Sequence, residues 1–173
     1  MKPFFSYYGG KYRAAKLYPR PKYHPIIEPF AGSAGYSVYY EPEVAILLDV
    51  NPIICEVWNY LIRVNESEIL SLPDLEVGQN VSDLHVCQEI KWLIGFWINA
   101  ANSSPCNIPS KWMRDYISRD ASWVGSQLFW SDRVRQRLAN QVGKIRRWIV
   151  RNLSYEAIHT HTTTHIFYRP TLR

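Results

Sequence analysis

Cysteine is scarce in this chain of 173 residues, and the three that occur, Cys55, Cys87 and Cys106, lack metal-ligand spacing. The five histidines add no Cys/His pairing, so the pattern gives no support for a zinc site and indicates reduced, mostly buried thiols. Long apolar runs are also absent, since no stretch reaches the roughly 20 residues that span a membrane. We therefore expect a cytoplasmic chain with no membrane partner. Its 47% of hydrophobic residues are enough for a folded core.

Acidic residues are missing from residues 133–151, although the net charge of the whole chain is only +5. The basic residues of this stretch are Arg133, Arg135, Arg137, Lys144, Arg146, Arg147 and Arg151. Such an asymmetry favours a basic face that suits a polyanionic partner. The alternative is an ordinary solvated helix surface, which needs no partner.

Apolar runs and turn residues alternate along the first 64 residues. Residues 26–30 form a short apolar run that leads through small residues into a helix-compatible stretch ending at Tyr40. Residues 44–50 form a continuous apolar run typical of a strand buried on both faces, and residues 52–64 have helical spacing. Strands that alternate with helices predict an α/β fold. Further predictions are a short helix at 12–18, helices at 66–72, 86–100 and 131–142, and a third strand within 148–155.

The turn after the first predicted strand, at positions 31–35, consists of small residues (Ala-Gly-Ser-Ala-Gly). Such a turn lets the backbone approach a ligand closely, although it can also serve packing alone. Asp49 lies near the end of the next predicted strand, where a carboxylate can accept hydrogen bonds from ribose hydroxyls, and Glu28 fits the same geometry. The combination indicates a nucleoside-containing cofactor. A P-loop nucleotide site is disfavoured because no Gly-Lys-Ser/Thr follows the turn.

Three segments resemble motifs of the Dam-like DNA adenine methyltransferases, which modify the exocyclic amine of adenine. They are residues 7–11 (Tyr-Tyr-Gly-Gly-Lys), 28–35 (Glu-Pro-Phe-Ala-Gly-Ser-Ala-Gly) and 49–52 (Asp-Val-Asn-Pro), in the family's order and spacing. Residues 152–156 are loosely similar to the motif that closes the family's adenine pocket. The resemblance implies a bacterial or phage-encoded protein with S-adenosyl-L-methionine as its cofactor. It also implies a partial Rossmann-like class I methyltransferase sheet of about three strands, with a mostly helical insertion lobe.

The resemblance assigns roles to particular side chains. Tyr7 and Lys11 would contact the amino acid portion of the cofactor. Phe30 and Gly32 would shape its cradle, and Asp49 would bind the ribose. The full set of expected cofactor-binding residues is Tyr7, Lys11, Glu28, Phe30, Gly32, Ser33, Asp49 and Ser154.

By the same resemblance, residues 1–59 and 147–158 would form the cofactor-binding subdomain, and residues 60–146 a helical lobe that recognises double-stranded DNA. Lysine and arginine on such a lobe neutralise backbone phosphates. The expected phosphate contacts are Lys111, Arg114, Arg119 and Arg133, although each of these cations can equally be a solvated surface residue.

The family's catalytic motif, Asp-Pro-Pro-Tyr, is missing from the sequence. In the family this motif accepts hydrogen bonds from the adenine amine and stacks on the flipped base. Codons that encode residues 165–173 can also encode Thr-Tyr-Phe-Ile-Asp-Pro-Pro-Tyr in a neighbouring frame, so we hypothesise that residues 159–173 are an aberrant, frameshifted tail. The chain would then hold about three of seven sheet strands, expose one edge of its first strand and be inactive alone.

Two other interpretations stay open. In one, the chain is half of a split methyltransferase whose C-terminal part is a downstream polypeptide. In the other, it is a non-enzymatic module that has kept DNA or cofactor binding. Salt-dependent DNA binding without methyl transfer would favour this last interpretation.

Overall fold

Two compact units make up the structure, a computed structural model that describes residues 1–76, 78–99, 102–111, 113–114, 129–157 and 165–166. The first unit comprises Met1–Pro3, Gly10–Ile62 and Lys144–Arg173, and the second comprises Phe4–Gly9 and Arg63–Gly143. The second unit thus contains an N-terminal segment that lies outside the predicted lobe. That the first unit binds a cofactor and the second binds DNA stays a prediction.

Parallel strands form the sheet of the first unit, and the described residues contribute four of them. They are β1 (Ile26–Pro29), β2 (Ala45–Asp49), β3 (Ile149–Asn152) and β4 (His165–Ile166), in the order β3-β2-β1-β4. The chain is therefore α/β with a small parallel sheet, as the alternating pattern predicts. Doubly wound sheets contain parallel strands in this same order, so the architecture is compatible with a partial Rossmann-like fold.

The sheet contains the three expected strands, but the expectation that one edge of β1 is open is wrong, because the two-residue strand β4 pairs with it. Ile26 of β1 lies opposite His165, and Ile27 lies opposite Ile166. An open strand edge presents unpaired N–H and C=O groups that any extended segment can satisfy, and here two residues of the predicted tail do so. The other residues of that tail lie outside the described residues.

The first unit places one helix after each of its first two strands. Helix α1 (Gly35–Tyr40) follows β1, and helix α2 (Pro52–Arg63) follows β2. The start of α2 is set by Asn51, whose Oδ1 accepts the N–H of Ile53, and by a proline at a position that needs no donor. The buried face of α2 consists of Ile54, Cys55, Val57, Trp58 and Leu61.

The predicted helix at 12–18 is wrong in its extent, because only Ala15–Leu17 form a single 3₁₀ turn. Tyr18 is extended (φ −91°, ψ 154°), as expected for a residue that precedes a proline. The helix therefore cannot continue beyond Leu17.

The second unit is helical in its described part. Its helices are α3 (Glu66–Leu70), α4 (Gln88–Trp97) and α5 (Asp132–Val142), each a little shorter than predicted. A capping box between Asn65 and Glu68 starts α3, which packs against α5. None of the helices described in the two units is long and apolar enough to cross a membrane.

Tryptophan side chains anchor the second unit from within. The indole N–H of Trp97 donates to the carbonyl of Phe4 at 2.9 Å, and that of Trp130 donates to the carbonyl of Pro73 at 2.8 Å. Phe5 stacks on Phe96 with ring centroids 5.1 Å apart. Phe4 and Phe5, which begin the segment Phe4–Gly9, therefore belong to the core of this unit.

All three cysteines are free thiols, but the expectation that most of them are buried is wrong. Cys55 is buried in α2, Cys87 is exposed before α4, and Cys106 is half-buried.

Candidate functional site

The loop between β1 and α1 has an unusual backbone. Phe30, Gly32 and Ala34 all have positive φ angles, of 58°, 48° and 47°. Left-handed backbone is uncommon for residues with a side chain, and it persists only where the surrounding structure enforces it. Residues strained in this way cluster at functional sites. The contacts that enforce it here come from three side chains outside the loop.

Asp49, the last residue of β2, holds the centre of the loop. Its Oδ2 accepts the N–H of Gly32 at 2.8 Å, and its Oδ1 accepts the N–H of Asn51 at 2.9 Å. The side chain is half-buried. Since a carboxylate has about four lone-pair sites, these two bonds leave acceptor capacity for a further donor.

Trp58 of α2 binds the same glycine from another direction. Its indole N–H donates to the carbonyl of Gly32 at 2.7 Å, and the side chain is fully buried. Sequence reasoning missed this residue, because it counted Trp58 only as part of the apolar face of a helix. No local signal reveals the contact, since 26 positions separate the two residues.

Glu28 fixes the far end of the loop. Its two carboxylate oxygens accept the N–H groups of Tyr36 and Ser37, at 3.2 and 2.9 Å, in the first turn of α1. The side chain is 3% exposed, and burial raises the pKa of Glu28 above its ordinary value of 4.5 although the hydrogen bonds oppose this. The structure therefore shows an anchor for the loop, and a direct contact from Glu28 to a cofactor stays a prediction.

The segment that contains Lys11 lies directly against the end of this loop. A Cβ atom added to Gly35 would come within 2.4 Å of the backbone nitrogen of Tyr12 and 2.8 Å of that of Lys11. Only glycine permits this approach. The Gly-Gly-Lys segment and the loop after β1 are thus in contact, and the Lys11 side chain is half-buried beside them.

A third segment reaches the same end of the sheet from β3. The side-chain amide of Asn152 donates to the carbonyl of Asp49 at 2.9 Å, and the ring of Tyr155 lies 5.0 Å from that of Phe30. Both rings are exposed, at 39% and 43%. Ser154, which lies between Asn152 and Tyr155 in the sequence, is half-buried, and its hydroxyl accepts the N–H of Glu156 at 3.4 Å. Phe30, Gly32, Ser33, Asp49 and Ser154 are therefore brought to the carboxyl ends of neighbouring strands.

Tyr7 belongs to the second unit, unlike the other expected cofactor-binding residues. Its ring meets that of Phe96 edge-on at 5.8 Å, and the neighbouring Tyr8 N–H donates to the carbonyl of Asn102. A contact from Tyr7 to the cofactor stays a prediction.

The four expected DNA contacts have different surroundings. Lys111 and Arg133 are exposed, whereas Arg114 is half-buried and donates to the carbonyl of Pro109 at 2.6 Å. Arg119 lies outside the described residues. Exposure therefore suits phosphate binding best at Lys111 and Arg133.

Most cations of the acid-free stretch have structural contacts that the sequence did not indicate. In the second unit, Arg135 is buried and pairs with Asp74 at 2.5 Å, and the guanidinium of Arg137 lies over the ring of Trp97 at 4.8 Å. The corresponding contacts in the first unit are Lys144 with Glu41, Arg147 with Glu43, and Arg146 with the carbonyl of Ile62. Several of the charges in this stretch are thus already engaged in ion pairs or carbonyl contacts, and a basic face for a polyanionic partner stays a prediction.

A cleft of about 630 Å³ lies at the opposite end of the strands from the predicted site. Its walls are His24, Pro25, Tyr40, Glu41, Pro42, Glu43 and Val44, which precede β1 and β2. None of the expected cofactor-binding residues lines it.

No model of a known protein family matches the chain, and no curated protein matches it either.

Proposed function

We propose that this chain is the S-adenosylmethionine-binding portion of a DNA adenine N6-methyltransferase. The observation that carries the proposal is the bond between the Asp49 carboxylate and the Gly32 N–H, which joins the acidic end of β2 to the glycine loop after β1. In nucleotide-binding doubly wound sheets, the loop after the first strand lets the backbone approach the ligand closely, and the acid after the second strand accepts hydrogen bonds from its ribose.

The residues present fit such a cofactor in their chemistry. Asp49 keeps lone pairs for ribose hydroxyls, since its two bonds with the protein use only part of its capacity. The exposed rings of Phe30 and Tyr155 offer apolar surface beside it for a purine or a methylene chain. Lys11, whose backbone lies against Gly35, supplies a positive charge for a carboxylate.

The strand order supports the same proposal. Parallel strands in the order β3-β2-β1-β4 place a change in direction of the winding between β1 and β4. Ligands of open α/β sheets bind outside the carboxyl ends of the strands at such a point. The loop at Phe30–Gly32 follows β1 at this end of the sheet.

When bound, S-adenosylmethionine supplies an activated methyl group on its sulfonium. The chain's own contribution, as we propose it, is to hold the nucleoside through Asp49 and the amino acid end through Lys11. Positioning of a target adenine in double-stranded DNA requires an Asp-Pro-Pro-Tyr group, which this sequence does not contain. A downstream polypeptide that carries that group would complete the enzyme.

Calorimetric titration with S-adenosylmethionine tests the proposal. We expect saturable binding that Asp49→Asn weakens by about tenfold or more, because the amide retains one acceptor oxygen but loses the charge and one acceptor. Asp83→Asn is the matched control, since Asp83 is an exposed aspartate in the second unit. Circular dichroism of each variant establishes that it is folded. Absence of saturable binding to the folded wild-type chain, or equal affinities for all three chains, would contradict the proposal.

A further inference from the structure

The two peptide groups that flank Gly32 are each held by a different side chain. The peptide before Gly32 directs its N–H to Oδ2 of Asp49 at 2.8 Å. The peptide after it directs its carbonyl to the indole nitrogen of Trp58 at 2.7 Å. Gly32 and Trp58 are both buried, so water does not readily replace this second bond. Breaking it would leave a buried donor and a buried acceptor unpaired, which costs free energy.

The bond from Trp58 also determines where the next N–H points. In a trans peptide the C=O and N–H groups point in opposite directions across the plane. Holding the Gly32 carbonyl towards α2 therefore turns the Ser33 N–H away from α2. Rotation of this peptide would reverse the polarity that the loop presents on that side, and a glycine at position 32 places little steric restraint on such a rotation.

We infer that Trp58 is a positioning residue for the loop between β1 and α1. Together with Asp49, it fixes the orientation of both peptide groups of Gly32 and thereby sets which backbone groups a bound nucleoside meets. This inference rests on the proposed function for its ligand, but the orientation of the loop can be measured without any ligand.

The competing explanation is that Trp58 merely fills the core. Trp148 provides an internal control for that explanation, since the two indole rings lie 5.9 Å apart in the same unit. Trp148 is also buried, and its N–H donates to the carbonyl of Pro42 at 3.0 Å, next to the amino end of β2. Replacing either tryptophan removes a buried indole and one hydrogen bond, but the bond lost at position 58 is to the loop and the bond lost at position 148 is to Pro42.

The first arm of the test compares Trp58→Phe with Trp148→Phe in calorimetric titrations with S-adenosylmethionine. We expect Trp58→Phe to weaken binding about tenfold and Trp148→Phe to leave it within about twofold, while both variants lose similar thermal stability. Equal losses of affinity would overturn the inference. If Trp58→Phe does not fold, replacement of Trp58 by 3-benzothienylalanine keeps the shape of the side chain, removes only the N–H donor and is subject to the same expectation.

The second arm needs no ligand. Hydrogen–deuterium exchange of peptides covering residues 30–35 is measured in both variants, relative to a peptide that covers β3. Faster exchange in this loop in the position-58 variant alone would support the positioning role, and the same exchange in both variants would overturn it. Failure of the wild-type chain to bind S-adenosylmethionine would refute the proposed function, while the exchange arm would still decide the role of Trp58.

Discussion

In both units of this protein, charged side chains bind other groups of the fold. The two units differ in whether such a side chain can still bind a further partner. In the first unit, Asp49 binds two N–H groups of the backbone and still has acceptor capacity. In the second, the Arg135 side chain is buried, with 7% of its surface exposed, and its charge is directed at Asp74. A charged residue that keeps free acceptor sites and one whose charge is already paired inside the fold cannot be told apart from the sequence alone. Their existing partners distinguish them.

The largest expected effect in the first unit concerns the close approach of Gly35 to the backbone of Lys11 and Tyr12. Gly35→Ala would place a Cβ 2.4 Å from the backbone nitrogen of Tyr12, where no flexible side chain can move away. We expect a loss of roughly 3 kcal/mol in the free energy of unfolding, measured by urea denaturation. In the second unit, Gly95→Ala meets the backbone of Cys106 at 2.7 Å and should be comparably harmful.

Gly143→Ala is the control for both glycines. Apart from its chain neighbours and its own helix, no atom of the described residues lies within 4 Å of a Cβ at Gly143, and its φ of −59° suits alanine. Its effect should stay within about 0.5 kcal/mol. A Gly35→Ala chain as stable as this control would show that the segment at Lys11 does not pack on the loop.

A smaller effect is expected from removing the buried cation of the second unit. Arg135→Ala deletes the ion pair with Asp74, a weak bond to the carbonyl of Pro73 and the packing of a buried side chain. We expect a loss of about 2 kcal/mol in chemical denaturation, below the cost of a fully buried pair because Asp74 is 73% exposed. Arg133→Ala, on the same helix but exposed, should change stability by less than about 0.5 kcal/mol. Equal losses would remove the distinction between structural and surface arginines.

A still smaller, pH-dependent effect is expected at Glu28. Because burial raises the pKa of this carboxyl in the folded chain, the folded state binds the proton more tightly than the unfolded state does. The stability that Glu28 contributes is therefore fully present below pH 4.5. It is lost as the pH rises through the higher pKa that Glu28 has in the folded chain. Glu28→Gln has no such titration, so its stability relative to the wild type should increase as the pH rises above 4.5. A difference that is constant with pH would contradict the assignment.

The smallest change concerns DNA binding by the second unit. If exposed Arg133 contacts a phosphate, Arg133→Ala should lower the slope of log affinity against log salt concentration for double-stranded DNA by about 0.9. Fluorescence anisotropy over a salt series measures this slope. An unchanged slope would remove Arg133 from the interface, and Lys111→Ala, at the other exposed cation, gives an independent reading.

Local pattern was sufficient to predict most of the secondary structure. The apolar run that contains Ala45–Asp49 is a buried parallel strand, and Pro52 is the first residue of α2, as its suitability for a first helical turn predicted. The pattern failed for β4, because two residues carry no periodicity and the pairing depends on an edge left by a strand far away in sequence. Helix ends differed by a few residues, as the caps and not the apolar spacing decide them.

For the candidate site, motif positions predicted which segments meet but not how they are held. Gly32 and Asp49 are joined by a direct bond, whereas the contribution of Trp58 depends on the packing of α2 against a loop 26 positions earlier. For the acid-free stretch 133–151, the sequence did not show that several of its cations are paired with acidic residues elsewhere in the chain. Its counterions, such as Asp74 and Glu43, lie 61 and 104 positions away from Arg135 and Arg147, so a window of sequence could not contain them.

The membership of Phe4–Gly9 in the second unit has a practical consequence for dissecting the gene. A fragment that starts at residue 63 would leave the indole of Trp97 without the carbonyl of Phe4 and the ring of Phe96 without Phe5. Such a fragment should express poorly, however well its boundaries follow the helices. An independently folding version would have to carry residues 4–9 joined by a flexible linker, as in a circular permutant. The fragment would then contain every segment of the second unit.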